Sequence, residues 1–374
     1  MEKTGIVTFT FTKDNYGQVL QYLATQRFID INDGDAYLIK HPAYRHGILY
    51  RIVRRLLYEV KRRIKPAKNI VSEEGAKKEI IFNQWASVTE QMEKEHPRKF
   101  DEFRNKYFKS YDGYIQDLKK DGFDSFCVGS DQTWSGASRS FFLEWVPKGM
   151  KKFSIAPSVG HKSFNEHEEV LISEWVKSFD FITVREDNGL RLMKKCNRPD
   201  AVKILDPTLL LTSEEYAKYE EEVETPKRDY IFIYLLGGEI SIEVQKIIDF
   251  AKEQGLDYKY CASQGRKDEY INCYPTVSEW LSLIKNAKYV ATNSFHGTAF
   301  SIIYRKPFLV FPLVGLMKGM NGRIIDITRQ LSLEDRVYAN TLDTLLAPVN
   351  WSKAEDVIST NKEKVTKLLS SLIA

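Results

Sequence analysis

The sequence predicts an α/β protein with two Rossmann-like domains facing a central cleft. Three observations carry that prediction. Short apolar runs end repeatedly in a polar or glycine-bearing turn and then give way to a helical stretch. The unit occurs in both halves of the 374-residue chain, and an acidic, polar segment from Glu220 to Arg228 separates them. Strand, turn and helix in series build a parallel sheet covered by helices, and such sheets bind ligands outside the carboxyl ends of their strands. At 43% hydrophobic and 28% charged, the chain has the composition to bury two cores.

Composition also excludes several classes. The net charge of +4 is too small to imply nucleic acid. Cys127, Cys196, Cys261 and Cys273 lie far apart without CxxC spacing, so neither a disulfide framework nor a thiolate metal site is expected, and a reducing cytoplasm fits. The six histidines form no HxxxH or HExxH pattern. Residues 1–12 hold no signal-peptide core, and no apolar run approaches the roughly 20 residues of a spanning helix. A cytoplasmic protein is expected.

In chain order, Gly5 to Phe11 reads as a strand, Asn15-Tyr-Gly-Gln18 as its turn, and Val19 to Ile29 as a helix. No GxGxxG accompanies it. Asn15 and Gln18 either reach the crevice or simply cap the helix. Residues 45–68 carry Arg45, Arg54, Arg55, Arg62, Arg63 and further lysines against a lone Glu59, with apolar residues at three- and four-residue steps. That is a basic amphipathic helix, suited to an anionic membrane surface or else a solvated surface helix. Residues 70–120, mixed in charge and aromatic (Trp85, Phe100, Phe103, Tyr107, Phe108, Tyr111), read as helices around a loop, either structural or forming part of an acceptor pocket. Phe123 to Val128 reads as a strand ending in Gly129-Ser-Asp-Gln132; there Asp131 either orients a hydroxyl, acts as a base, or forms an Asx turn.

Lys152 to Gly160 and Asp180 to Gly189 are two more strand-and-turn units, the second presenting Arg185-Glu186. Arg185 can fork onto a carboxylate or phosphate, or pair with Glu186 or Asp187. Ala201 to Leu211 is a strand stopped by Asp206-Pro207. In the second half, Tyr230 to Leu236, Asp257 to Cys261 and Tyr289 to Ala291 are strands, and Ser241 to Gln254 and Thr276 to Asn286 are helices. Lys318 to Arg323 reads as a Gly-punctuated loop, and about Lys353 to Leu372 as a terminal helix. The expected organisation is residues 1–222, residues 228–350, and a helix over 351–374 crossing back to the first domain.

The most informative stretch is Tyr289 to Phe308. Its short strand breaks into Thr292-Asn-Ser294, presents His296 and Gly297, and continues as an apolar helix. A strand leading into a helix start aims backbone N–H groups and positive dipole at an anion. Ser294 and Thr298 suit capping, and Gly297 permits close approach of a ligand or of chain. His296 then stands at a strand's carboxyl end, either as a reactive group or as a satisfied buried histidine.

Taken together, Asn15-Tyr-Gly-Gln18, Gly129-Ser-Asp-Gln-Thr-Trp134, Val184-Arg-Glu186, Leu205-Asp-Pro-Thr208, Ser294-Phe-His-Gly-Thr298 and Lys306-Pro-Phe308 resemble the polysaccharide pyruvyl transferase family, in family order across residues 5–340. The resemblance implies a GT-B-like fold. It also implies transfer of pyruvate from phosphoenolpyruvate onto two hydroxyls of a sugar, giving a cyclic ketal, in capsule or exopolysaccharide biosynthesis. His296 matches the family's catalytic histidine, and Arg185 a donor-contacting arginine. Lys318 is the best match to a donor-contacting lysine, with Asn321 or Arg323 as alternatives, since Ser294 stands where some members have arginine. Ser294 and Gly297 complete the expected donor set; Asn15, Gln18, Asp131 and Gln132 form the expected acceptor set. The first domain would be the acceptor side and the second the donor side. The acceptor is a saccharide, including a polyprenyl-diphosphate-linked one at a membrane face that residues 45–68 would meet. No cofactor or metal is expected beyond phosphoenolpyruvate as co-substrate.

Two other functions fit the architecture. A nucleotide-sugar glycosyltransferase would need a carboxylate for the ribose, for which Glu279 is the candidate. A catalytically silent scaffold would not need His296 or Arg185.

Overall fold

The computed structural model describes residues 2–40, 73–160 and 163–373. The basic segment 45–68 lies outside them. Strands β1 (Glu2–Val7), β2 (Gly34–Ile39), β3 (Ser110–Tyr111), β4 (Phe123–Val128) and β5 (Lys151–Ser154) form a parallel sheet in the order β3-β2-β1-β4-β5. Next to it, β6 (Thr183–Val184) pairs with β7 (Val202–Lys203), and a Phe153–Phe181 bridge joins this pair to β5. The second sheet runs β11-β10-β8-β9, also parallel, from β8 (Tyr230–Leu236), β9 (Asp257–Ser263), β10 (Tyr289–Thr292) and β11 (Phe308–Val310). All seven residues of β8 are buried, as a strand covered on both faces requires. The fold is therefore α/β, with two Rossmann-like sheets.

The helices are α1 (Tyr16–Asp30), α2 (Glu73–Glu95), α3 (Phe100–Tyr107), α4 (Glu166–Val176), α5 (Asp187–Lys195), α6 (Ser213–Tyr216), α7 (Val244–Glu253), α8 (Val277–Asn286), α9 (Phe295–Ile303), α10 (Asn321–Gln330) and α11 (Ser352–Ile373). Helix α1 is buried nearly all round because it is packed between the two halves. Its Tyr16 stacks on Trp280 at 5.1 Å and 8°, and the Tyr16 hydroxyl donates to the Pro275 carbonyl at 2.7 Å. Just before it, Asp14 accepts from Ser263 Oγ at 2.5 Å and from the Gln264 N–H at 2.8 Å. These contacts seat the β1–α1 turn on the second sheet. Helix α11 lies against residues 207–210, and its Asn361 side chain accepts from the Leu205 N–H at 3.1 Å.

Several elements differ from expectation for local reasons. The strand expected to reach Phe11 ends at Val7, and Thr8 to Phe11 turn away to wall a cavity. The strand expected over 201–211 shortens to β7. There the Asp206 carboxylate accepts from the Thr208 N–H at 3.0 Å and nucleates a 3-10 turn over Pro207–Leu210. The expected loop at Lys318 to Arg323 is instead a 3-10 turn, Gly315–Met320, running into α10. Strands β2 and β3 were not anticipated. Among the described residues, no helix is long and apolar enough to cross a membrane.

Candidate functional site

In each sheet the first strand sends the chain to one side and then to the other. The resulting switch points lie between β1 and β4 and between β8 and β10. Ligands gather where strand order reverses. The turns after β1, β4 and β10 carry Asn15 and Gln18, Asp131 and Gln132, and Ser294 and His296 respectively. All six line one cavity of about 540 Å³.

The turn after β10 is tightly specified. Asn293 accepts from the Leu236 N–H at 2.8 Å and donates to its carbonyl at 3.0 Å, joining the ends of β8 and β10. Ser294 caps α9 by accepting from the Gly297 N–H at 3.2 Å, and Thr298 Oγ1 donates back to the Ser294 carbonyl at 3.0 Å. A Cβ on Gly297 would overlap the Thr292 side chain. The glycine therefore admits neighbouring chain, and it is not among the residues lining the cavity.

His296 stands in the first turn of α9, 7% exposed, with Nε2 unbonded and 3.9 Å from Asp206 Oδ1. Asp206 is buried and fully engaged. Its Oδ2 accepts from Ser130 Oγ at 2.6 Å and Arg185 Nη1 at 2.8 Å; its Oδ1 accepts from Thr208 Oγ1 at 2.8 Å. Burial pushes its pKa upward, but His296, Arg185 and the hydrogen bonds outweigh that and hold it at about 2. Burial, aided by Arg185 and Arg323, pushes His296 down to about 4 against the pull of Asp206 and Asp131. At neutral pH the site thus holds a carboxylate beside a neutral imidazole, and the charge balance around Asp206 comes chiefly from Arg185.

That depression has a measurable sign. Between about pH 6.5 and 4 the unfolded chain protonates this histidine while the folded one does not, so stability falls as pH drops through that window. A shift of this size corresponds to roughly 3 kcal/mol. Asp206 contributes no slope there, because its lowered pKa acts only below the ordinary carboxylate range. Urea unfolding of wild type and His296→Gln at pH 7 and pH 4.5 should show the variant losing less stability on acidification. Equal losses would refute a neutral buried imidazole.

Arg185 is 4% exposed and does not line the main cavity. It lines a narrow slot behind it with Asp206, Phe295 and Arg323, its guanidinium 4.6 Å from the Phe295 ring centroid and 3.6 Å from Glu186 at Nε. Its Nη2 makes no hydrogen bond. The expected ion pair is thus made chiefly with Asp206 rather than with Glu186 or Asp187, and Nε and Nη2 are left without hydrogen-bond partners. Arg185→Ala leaves a buried carboxylate without its cation and should destabilise the fold by about 3–5 kcal/mol. Denaturant titration checks this, and a loss below about 1 kcal/mol would make the pair dispensable.

Arg323 lies in the first turn of α10 and lines both the cavity and the slot. Its Nε is buried and unpartnered, and burial together with Arg185 lowers its pKa to about 10. Lys318 is exposed and absent from the lining, because Met317 and Met320 take the inward positions of that turn. Asn321 uses both ends of its amide on Leu313, at 2.7 and 2.8 Å. Of the three alternatives, Arg323 is the one that lines the cavity.

On the opposite wall Asn15 accepts from the Gln18 N–H at 3.2 Å while still facing the cavity, so capping and crevice readings coexist. Gln18 Nε2 approaches Asp131 Oδ2 at 3.5 Å. Asp131 has φ +71°, an uncommon conformation for a residue with a side chain, and its Oδ1 accepts from the Gln132 N–H at 2.8 Å. Glu279, the candidate ribose carboxylate, instead closes the capping box of α8 by accepting from the Thr276 N–H at 2.7 Å, and lies outside the cavity lining. Among the described residues no three His, Cys, Asp or Glu side chains converge as a metal set.

Two residues of the site were not singled out as such from the sequence. Asp206 sat within a recognised Leu-Asp-Pro-Thr stretch but read as a strand stop. Gly17, inside Asn15-Tyr-Gly-Gln18, brings α1 against His296: a Cβ there would overlap the imidazole and lie 2.7 Å from the histidine's own Cβ.

Comparison with solved structures shows the fold. UDP-GlcNAc 2-epimerase from Methanocaldococcus jannaschii covers 98% of this chain and 99% of its own at 12% identity, with a TM-score of 0.52. A protein described as UDP-N-acetylglucosamine 2-epimerase from Listeria monocytogenes covers 100% and 97% at 9% identity, with a TM-score of 0.50. Both are GT-B proteins, and this chain shares their two-sheet arrangement. Among curated proteins, no sequence matches it. The family model for polysaccharide pyruvyl transferase matches residues 15–313, a span that holds both sheets' switch-point turns and Asp206, Arg185 and His296, and the chain is therefore a transferase belonging to the polysaccharide pyruvyl transferase family.

Proposed function

We propose that the protein transfers pyruvate from phosphoenolpyruvate to two hydroxyls of a saccharide, with His296 moving the protons. The observation that carries this reading is a neutral buried imidazole at the polar end of a cavity large enough for more than the donor, with Arg323 lining it there and Arg185 in the slot behind, both with unpartnered nitrogen atoms. A carboxylate and a phosphate are the groups that such guanidiniums bind. In the first step a sugar hydroxyl oxygen bonds to the donor's substituted carbon as the methylene becomes a methyl. One proton passes from hydroxyl to carbon. In the second step the C–O bond to phosphate breaks, the second hydroxyl oxygen closes the ketal, and its proton leaves with the phosphate. A group that alternately accepts and donates suits both steps, and the added negative charge of the bound donor would raise His296 from its resting value. Ser294 adds a hydroxyl on the donor side, and Asn15, Gln18, Asp131 and Gln132 offer amide and carboxylate partners to the acceptor's hydroxyls.

On this reading residues 1–222 serve the acceptor and residues 228–350 most of the donor, and phosphoenolpyruvate is co-substrate without a further cofactor. The acceptor extends to polyprenyl-linked precursors of capsule or exopolysaccharide, made at the cytoplasmic face of a membrane that residues 45–68 would meet. Exchanging Arg54, Arg55, Arg62 and Arg63 for Glu should weaken binding to anionic vesicles; unchanged binding would remove the membrane part.

The donor is tested by thermal shift with phosphoenolpyruvate beside UDP- and GDP-sugars on wild type and Arg323→Ala. At 100 times its dissociation constant a ligand stabilises by about 2.7 kcal/mol. Stabilisation by phosphoenolpyruvate, lost in the variant, supports the reading. Stabilisation by a nucleotide sugar alone would replace it with glycosyl transfer.

A further inference from the structure

We propose that the cavity wall formed by Phe9, Phe82 and Trp85 is the acceptor subsite, a shelf that takes the C–H face of a pyranose ring. This rests on the pyruvyl-transfer reading for what happens at the other end of the cavity, and on separate observations for the shelf itself.

Helix α2, which carries Phe82 and Trp85, is inserted between β2 and β3 and crosses to the second half of the molecule. Its side chain packs close against backbone there: a Cβ on Gly265 would overlap it, and the Cβ position of Gly238 is 3.5 Å from Trp85 Nε1. Gly265 adopts φ +78°, in the region that only glycine enters freely, so the chain bends to give the ring a floor. Below the helix, Thr89 Oγ1 donates to Asp14 Oδ2 at 2.9 Å and fixes α2 to the β1–α1 turn. Phe82 stands perpendicular to Trp85 at 5.4 Å and is 54% exposed. Phe9, in the same lining, meets Phe141 edge-on at 4.6 Å. Phe82 thus presents apolar area to the cavity that is not covered by the described residues.

The rest of the lining selects the occupant. The same lining holds Asn15, Gln18, Thr89, Ser135 and Gln264 with the carboxylates Asp14 and Asp131, so it is rich in amides, hydroxyls and hydrogen-bond acceptors. A pyranose offers the matching pair of surfaces, an apolar face of axial C–H bonds and an edge of hydroxyls. A nucleoside diphosphate would also stack, but its diphosphate needs cations. Among the described lining residues Arg323 is the guanidinium and no lysine appears, and Arg323 sits at the His296 end. A three-carbon phosphorylated acid has no face to stack. The shelf and the reactive end together hold a sugar whose hydroxyl edge points toward His296.

Saturation-transfer NMR on the full chain tests this, using the methyl pyranosides of glucose, galactose, mannose and N-acetylglucosamine, with uridine as a control and phosphoenolpyruvate present. The ring C–H protons of at least one pyranoside should saturate in wild type. Binding should weaken about three- to tenfold in Phe82→Ala and Trp85→Ala and recover in Trp85→Phe. Phe82 is exposed enough that its removal leaves folding intact, which protects the test if Trp85→Ala fails to fold. Thermal stabilisation by phosphoenolpyruvate should be the same in wild type and Phe82→Ala. Pyranoside signals unaffected by either alanine, or absent altogether, overturn the shelf while leaving the donor reading standing. Shelf-dependent pyranoside signals without any phosphoenolpyruvate stabilisation uphold the shelf and overturn the donor reading. Uridine saturation that needs Trp85, with none on the pyranosides, assigns the wall to a base and overturns the proposal.

Discussion

His296→Ala should lower the rate of transfer by about 10²–10⁴-fold, the range that a positioned acid–base group contributes. The expectation follows from how the residue is held. It is in the first turn of a capped helix, at the end of a buried strand, with Asp206 on one side and Gly17 on the other. Its depressed pKa keeps it unprotonated at rest, so it is ready to accept a proton from a hydroxyl. On the proposed reading Arg323 and Arg185 hold the donor, so phosphoenolpyruvate should still stabilise His296→Ala while phosphate release from it slows by about the same 10²–10⁴-fold. Phosphate release with a saccharide acceptor, read beside the thermal shift, separates the two. A variant that binds and still turns over within tenfold of wild type would take the proton chemistry away from His296. Loss of both binding and turnover would instead make it part of the donor cradle.

Much of this site was legible in the sequence because its residues sit in turns after apolar runs, where local pattern and function coincide. Ser294 and His296 follow β10, Asp131 follows β4, and Asn15 follows β1, each at a strand's carboxyl end. What escaped depends on contacts between distant segments. Asp206 looks like a strand stop until folding places it against Arg185, Ser130 and Thr208. Lys318 and Arg323 are indistinguishable along the chain; a 3-10 turn that faces Met317 and Met320 inward decides between them. Strands β2 and β3 are short, and only their partners make them strands. Trp85 reads along the chain as structural or as part of an acceptor pocket without a partner to decide it, since Gly265 lies 180 positions later and nothing local links them.

Gly17→Ala should destabilise the protein and disable it together, although the usual effect of this exchange inside a helix is the opposite. Alanine is favoured over glycine in a helix interior by about 1 kcal/mol, so on α1 alone the substitution would stabilise. Here the added methyl would occupy the place of the His296 ring. Neither wall can yield freely. Tyr16 next door is stacked on Trp280 and bonded to Pro275, and His296 is held on capped α9. Overpacking of this kind costs about 1–3 kcal/mol, which outweighs the helical gain. A ring displaced by about 1 Å can lose on the order of 10² in rate. A double-mutant cycle isolates the contact. Removing the imidazole relieves the ring overlap and leaves only the 2.7 Å approach of the two Cβ atoms, so Gly17→Ala should cost less in a His296→Ala background than in wild type, with a coupling energy of about 0.5–3 kcal/mol measured by urea unfolding. If the two substitutions are additive, the methyl and the ring do not meet, and Gly17 serves the turn after β1 rather than the histidine.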